Sequence, residues 1–222
     1  MATSGTAAFD LDITGIIEEA YERAGMEVRA GYDMQSAKRS LDIMSQEWSN
    51  RGVNLWTIAE GTISLTEGTA TYTLPADTID LLDHVIRTGA GTSQVDYTLT
   101  RIGIGTFAAI TNKNLEARPL QIYVDRQSTP TATIWPTPDA SYTLVYWRLR
   151  RIEDAGVYGN TMDVPSRFIP AMVAGLAYYL AMKKPELMGR VPYLKSVYDE
   201  QFRLAWEEDH DRSSARLIPA VR

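Results

Sequence analysis

Few residues in this chain have the chemistry to make a site, and each has a plainer reading beside it. Gly103-Ile104-Gly105-Thr106-Phe107-Ala108 matches G-x-G-x-x-A, the loop that seats a dinucleotide pyrophosphate on a helix N-terminus. That chemistry needs a βαβ unit with a full helix, and the flanking pattern is of short strands, so the glycines read as an irregular turn. His84 stands near Asp80 and Asp83, types able to relay a proton or hold a metal. One histidine in a strand candidate makes neither a triad nor a metal-ligand spacing; it reads as a structural or surface residue. Asp209-His210-Asp211 has the composition of a metal trio, but adjacent residues on a helix face different directions. It reads as a solvated helix end. Arg148, Arg150 and Arg151 could contact phosphate, and read more simply as basic residues guarding a sheet edge.

The familiar catalytic signatures are missing. No G-x-S-x-G, P-loop or H-E-x-x-H occurs, and no particular pair of carboxylates is singled out for glycoside hydrolysis. There is no cysteine, so disulfides, thiol nucleophiles and thiolate metal sites are all excluded. The expectation is no catalytic residue, no metal and no cofactor. Trp48, Trp56, Trp135, Trp147 and Trp206 are scattered through different elements and read as core or inter-element residues rather than a base-stacking platform.

The elements that would position these residues fall into three stretches. Residues 1–9 read as a flexible leader without the apolar run of a signal peptide. From Asp12, the positions Ile13, Ile16, Ile17, Ala20, Tyr21 and Ala24 share one helix face. Asp12 is the expected N-cap and Gly25 the stop. A second helix is expected from Asp33 to Gly52, with Met34, Ala37, Leu41, Met44 and Trp48 as a narrow stripe, packed antiparallel to the first.

The pattern then turns to strands. Thr62-Ile63-Ser64-Leu65-Thr66 and Thr71-Tyr72-Thr73-Leu74 alternate polar with apolar and read as a hairpin closed by Pro75-Ala76-Asp77. Residues 82–87, 95–99, 120–125, 132–135 and 142–149 are further strand candidates. Turn chemistry at Ser128-Thr129-Pro130 and Pro136-Thr137-Pro138-Asp139 predicts a β-meander without parallel crossovers, with one short helix over 102–110. Trp56 is placed to pin the β-domain to the helices.

Helical period returns after a loop at 156–161. Ser166 is the expected N-cap of a helix whose stripe is Ile169, Met172, Val173, Leu176, Ala177 and Leu180. Ala171, Ala174, Gly175 and Ala181 leave room for another backbone. In the last helix, Leu194, Tyr198, Phe202 and Trp206 form an i, i+4 row that completes the core. The predicted fold is α+β: a helical bundle from residues 10–52 plus 164–211, an inserted antiparallel β-domain over 53–163, and an arm over 212–222. The arm carries Arg212, Arg216 and Arg222 around Leu217-Ile218. It reads either as a disordered tail or as a segment that orders on a partner.

At 222 residues, 45% apolar and 23% charged, the composition is that of an ordinary soluble globular protein. No stretch approaches the roughly 20 apolar residues of a membrane span. The net charge of −6 gives no broad DNA-gripping face.

The order and spacing of several short motifs resemble the head-to-tail adaptor proteins of tailed bacteriophages, also called tail tubular protein A or head-completion proteins. They are Ser45-Gln46-Glu47-Trp48 to Gly52-Val53-Asn54-Leu55-Trp56, Tyr72-Thr73-Leu74-Pro75 with Asp77, Ile134-Trp135-Pro136-Thr137-Pro138, and Val164-Pro165-Ser166 leading to Tyr178-Tyr179-Leu180-Ala181. The resemblance covers most of residues 12–211. It implies a structural protein of the virion neck or tail, not an enzyme, assembled in the host cytoplasm. It further implies a ring of about twelve copies between the portal protein and the tail tube or nozzle, with genome DNA passing through the lumen. In several members of that family, whose arms differ widely in length, the C-terminal segment runs along the portal, which would give Arg212, Arg216, Leu217, Ile218 and Arg222 their role. An acidic balance suits a lumen through which DNA slides. The alternative is a nucleic-acid-binding module built on Arg148 to Arg151; an enzyme with unrecognised carboxylates is a third.

Overall fold

A computed structural model describes residues 9, 11–29, 31–52 and 55–209 of the chain. The fold is mixed α+β, with five helices and two antiparallel-rich sheets among these residues. Backbone contacts divide it into two compact units, Met1–Trp56 with Ile152–Arg222, and Thr57–Arg151.

The first unit is helical. Helix α1, Ile13–Ala24, starts where the Asp12 carboxylate accepts from the Gly15 N–H at 2.7 Å. Its first two N–H groups, orphans at any helix start, donate to the carbonyls of Asn160 and Tyr158. It ends at Gly25, whose φ of 78° suits a residue without Cβ. A Cβ there would also strike the Arg190 guanidinium, which donates to the last carbonyls of α1 at Ala24 and Arg23. Helix α2, Gly31–Arg51, begins two residues before Asp33 and buries Ala37, Leu41, Met44 and Trp48. The loop that follows the β unit belongs to this core too: Ile152, Ala155 and Met162 are buried in it, and the Asp42 carboxylate accepts from the Ala155 N–H at 2.8 Å.

Helix α4, Ile169–Ala181, is the hub, and it packs against α1, α2 and α5. Helices α1 and α2 meet each other only sparsely, so the expected antiparallel pair is replaced by two helices that each lean on α4. The composition of α4 explains this. Ala171, Ala174, Gly175, Ala177 and Ala181 are buried together with the larger Met172, Val173, Leu176 and Leu180, so the helix is covered on most sides, Pro170 in its first turn excepted. Ser166 does not cap α4; it opens a short 3-10 turn, Ser166–Phe168, that leads into the helix.

Helix α5, Val191–Glu208, buries Leu194, Tyr198, Phe202 and Ala205. Trp206 is 46% exposed, which corrects the expected four-residue row. Steps of four advance by about 40° around a helix, so the row rotates off the buried face by its fourth member. Ala205 takes the inner place. At the centre of the unit the Trp48 indole N–H donates to the Tyr198 hydroxyl at 2.8 Å, with Phe168 and Phe202 each 5.6 Å from the Trp48 ring. Burial pushes the Tyr198 hydroxyl up to about 12 and keeps it neutral.

The second unit has two four-stranded sheets around one core. One sheet has the order β1-β8-β3-β4, with β1 Ile58–Leu65, β3 Thr78–Thr88, β4 Val95–Thr98 and β8 Tyr142–Arg150. The other has the order β2-β7-β6-β5, with β2 Thr71–Thr73, β5 Thr100–Ile102, β6 Gln121–Asp125 and β7 Thr131–Trp135. Leu65, Leu81, Ile86 and Leu144 of the first meet Ile122, Ala132 and Ile134 of the second.

This topology corrects three expectations. β1 and β2 are not a hairpin, because the chain changes sheets between them: β1 pairs with β8 and β2 with β7. The Tyr72 hydroxyl fixes that turn, accepting from the Thr66 N–H and donating to the Thr69 carbonyl at 2.8 Å. The meander stops at β6-β7, since β8 crosses to the first sheet after Pro136-Thr137-Pro138. And β5 runs parallel to β6 through the short helix α3, Ile104–Ala109, a small crossover where the short-strand pattern predicts none.

His84 is a core residue, 5% exposed, and neither ring nitrogen has a hydrogen-bond partner among the described residues. Strict alternation from Leu81 would turn Asp83 inward. A bulge between Leu81 and Asp83 shifts the register by one and buries His84 instead. Burial holds the imidazole below its ordinary pKa.

Two consequences are measurable. A Cβ on Gly175 would lie 2.5 Å from the Met44 sulfur and 2.8 Å from the Tyr198 ring. Met44 can yield, but the ring is held by Trp48, so overpacking of about 1–3 kcal/mol outweighs the roughly 1 kcal/mol gain in helix propensity. Gly175→Ala is therefore expected to lower the midpoint of urea unfolding; Tyr198→Phe, which strands the buried Trp48 N–H, should cost about 1–3 kcal/mol. For His84, a lowered pKa in the fold means that protonation favours the unfolded chain. Its contribution is complete above pH 6.5 and is lost as pH falls below that value. His84→Leu should raise stability at pH 7 by about 1 kcal/mol and remove the loss that sets in as pH falls below 6.5, as read from urea titrations above and below that pH.

Candidate docking surface

The residues with chemical potential are separated by the fold, and most are already engaged. Gly103 and Gly105 flank the start of α3, a helix of 6 residues. A Cβ at either glycine would meet nothing within 4 Å, so no close approach demands glycine there. Phe107 of the same motif stacks on Tyr123, with ring centres 5.4 Å apart. The crossover is real, but its helix is too short to hold a pyrophosphate as the motif requires.

Asp80 and Asp83 do not converge on the His84 ring. The Asp80 carboxylate receives Arg101 at 2.7 Å and Arg126 at 3.2 Å, joining the two sheets of the β unit, while Asp83 accepts from the His84 backbone N–H. No group of three potential metal ligands occurs among the described residues. Asp209 is buried and paired with Arg167; His210 and Asp211 lie outside the described residues.

The arginine row needs a different correction. β8 is an interior strand between β1 and β3, so Arg148, Arg150 and Arg151 do not guard an edge. Arg148 is mostly covered and donates to the Asp77 carboxylate at 2.6 Å and the Thr78 hydroxyl at 3.1 Å. That hydrogen bond holds the Asp77 carboxyl below the usual carboxylate range. The Arg151 backbone N–H donates to the Asp77 carbonyl. Arg148 thus closes the base of β3 and is not free for phosphate, whereas Arg151 is exposed. Trp56 packs in the helical unit, its ring 4.7 Å from Phe168 and its N–H on the Asp163 carbonyl at 2.9 Å. Trp135 donates to the Asn112 carbonyl. The arm residues Arg212, Arg216, Leu217, Ile218 and Arg222 lie outside the described residues.

Two concavities of similar size mark the helical unit. One, of about 410 Å³, is lined by Tyr21, Met26, Arg29, Asp33, Lys184 and Glu186, so acids and bases share its rim. The other, of about 430 Å³, runs between α1 and α4. Its apolar lining is Phe9, Leu11, Ile169, Pro170 and Val173, and its rim is Glu18, Glu19, Glu22 and Arg23. Arg23 pairs with Glu19 at 2.8 Å. Glu18 and Glu22 have no ion-pair partner among the described residues. Phe9, 65% exposed, stands at the groove with its apolar surface in water. The periodicity that identified the buried face of α1 also leaves Glu18 and Glu22 on the outer side. Sequence alone did not reveal that α4 lies beside them and supplies an apolar floor.

Neither unit presents a nucleophile with its base, a metal-ligand group or an enclosed polar cavity among the described residues, and the open features are surfaces. A search of curated proteins found no match. A family model described as SU10 adaptor protein matches residues 13–220, across both units. The chain belongs to the SU10 adaptor protein family, in keeping with the resemblance of its sequence to phage head-to-tail adaptors.

Proposed function

We propose that this chain is a structural virion protein, a head-to-tail adaptor that joins the portal protein to the tail tube or nozzle. The family match across residues 13–220 carries the reading. The helices from both chain ends form a bundle, with the β-domain inserted between them in the sequence, and copies close into a ring of about twelve around a passage for genome DNA. The protein resides in the neck or tail of the virion after assembly in the host cytoplasm. It works without catalysis or cofactor.

Charge supports the passage. With a net charge of −6, a ring repels a sliding polyanion instead of condensing it, whereas a basic lumen would grip phosphates and slow ejection. The arm, Arg212, Arg216, Leu217, Ile218 and Arg222, is the proposed portal-binding segment, pairing guanidinium groups with carboxylates and its Leu-Ile pair with an apolar groove. The nucleic-acid alternative loses one of its arginines, since Arg148 is committed to Asp77.

Mixing the purified chain with its cognate portal should give ring-on-ring complexes in negative-stain images and a shifted gel-filtration peak. No complex would remove the connector reading. Deleting residues 212–222 should leave the circular dichroism spectrum of the folded chain unchanged and weaken portal binding roughly tenfold or more, the usual effect of losing central anchor residues. Equal affinity with and without the arm would exclude it from the contact.

A further inference from the structure

The acidic groove between α1 and α4 and the arm of the same chain have complementary chemistry. The groove offers an apolar floor at Leu11, Ile169, Pro170 and Val173, and a rim of three glutamates against one arginine. Residues 212–222 carry three arginines, no acid, and Leu217-Ile218 between them. We propose that in the isolated protein this groove is the docking site of the chain's own residues 212–222, with Leu217 and Ile218 on the apolar floor and arginines on Glu18 and Glu22.

The place where the described chain ends argues for this occupant. Asp209 is buried and ion-paired with Arg167. Arg167 lies two residues before Ile169, the first floor residue of the groove. The arm therefore leaves the body beside the start of α4. From Ile169 to Val173 the floor extends about 6 Å along the helix. The 13 residues after Asp209 could span about 40 Å when extended, so reach is no obstacle. A tethered segment faces its groove at an effective concentration in the millimolar range, and even weak contacts suffice to hold it. The exposed ring of Phe9, and Glu18 and Glu22 without an ion-pair partner among the described residues, are what an arriving Leu-Ile pair and two arginines would cover. Docking in cis concerns the free chain, and stands whether or not the arm later meets a portal.

The chain has no cysteine, so a single Ser214→Cys substitution in the full-length protein gives one site for a nitroxide label. The spectrum should show a slow-motion component whose share stays constant as protein concentration is varied a hundredfold. Combining it with Glu18→Lys and Glu22→Lys, both on the exposed side of α1, should reduce the docked-to-free ratio roughly tenfold or more, since two attractive pairs become repulsive. Raising the salt should act in the same direction. Circular dichroism of the double variant should match the parent. A fast spectrum in the parent would overturn the proposal, as would a slow component that ignores the two lysines. A slow component that grows with concentration would assign the groove to the arm of a second copy, and so also overturns docking in cis.

Discussion

The helical unit depends on the absence of one side chain. At Gly175 the sulfur of Met44 and the ring of Tyr198 come close enough that any Cβ would intrude. This contact lets α2 and α5 both reach α4, and it sets the position of Tyr198 under the Trp48 indole. Phe168 and Phe202 then close around Trp48, and Trp56 extends the cluster through Phe168. A larger helix in the centre would have to choose its neighbours; a small one can be surrounded. The buried hydrogen bond adds direction to what is otherwise apolar packing, because the indole N–H has to find the hydroxyl once water is removed.

The β unit follows a different rule. Several of its strands find their partners far away in sequence: β1 with β8, β2 with β7. Turn chemistry marks where the chain bends but not which sheet it enters next. Asp80 shows how the layers are held. One carboxylate on β3 receives arginines from the ends of β5 and β6, so a single acid links both sheets at their rim while Leu81 and Ile86 fill the interior.

What could be read from the sequence divides along the same line. Helix positions were legible because caps and period are local signals: Asp12 and Gly25 bound α1, and Gly52 follows α2. Strand positions were legible from alternation, whereas strand partners were not, since pairing depends on contacts between distant residues. The arginines of β8 misled for this reason; their charge suggested an edge, while the pairing register makes the strand central. His84 was hidden by a bulge that no alternation rule contains. Trp206 was misplaced by reading steps of four as a straight line on a helix whose turn is about 3.6 residues. The groove combines a legible part, the outward glutamates of α1, with an illegible one, the neighbouring floor from α4.

The pairing of Arg167 with Asp209 has a mechanical consequence. Asp209 sits immediately after the last turn of α5, and its partner precedes the first turn of α4. A force applied to the chain beyond residue 209 is therefore shared with the start of the most enclosed helix in the unit. Traction loads this half-buried ion pair before it can peel α5 from its Leu194-Tyr198-Phe202 face. Such a clasp would let a pull beyond residue 209 be borne without unravelling the helices behind it.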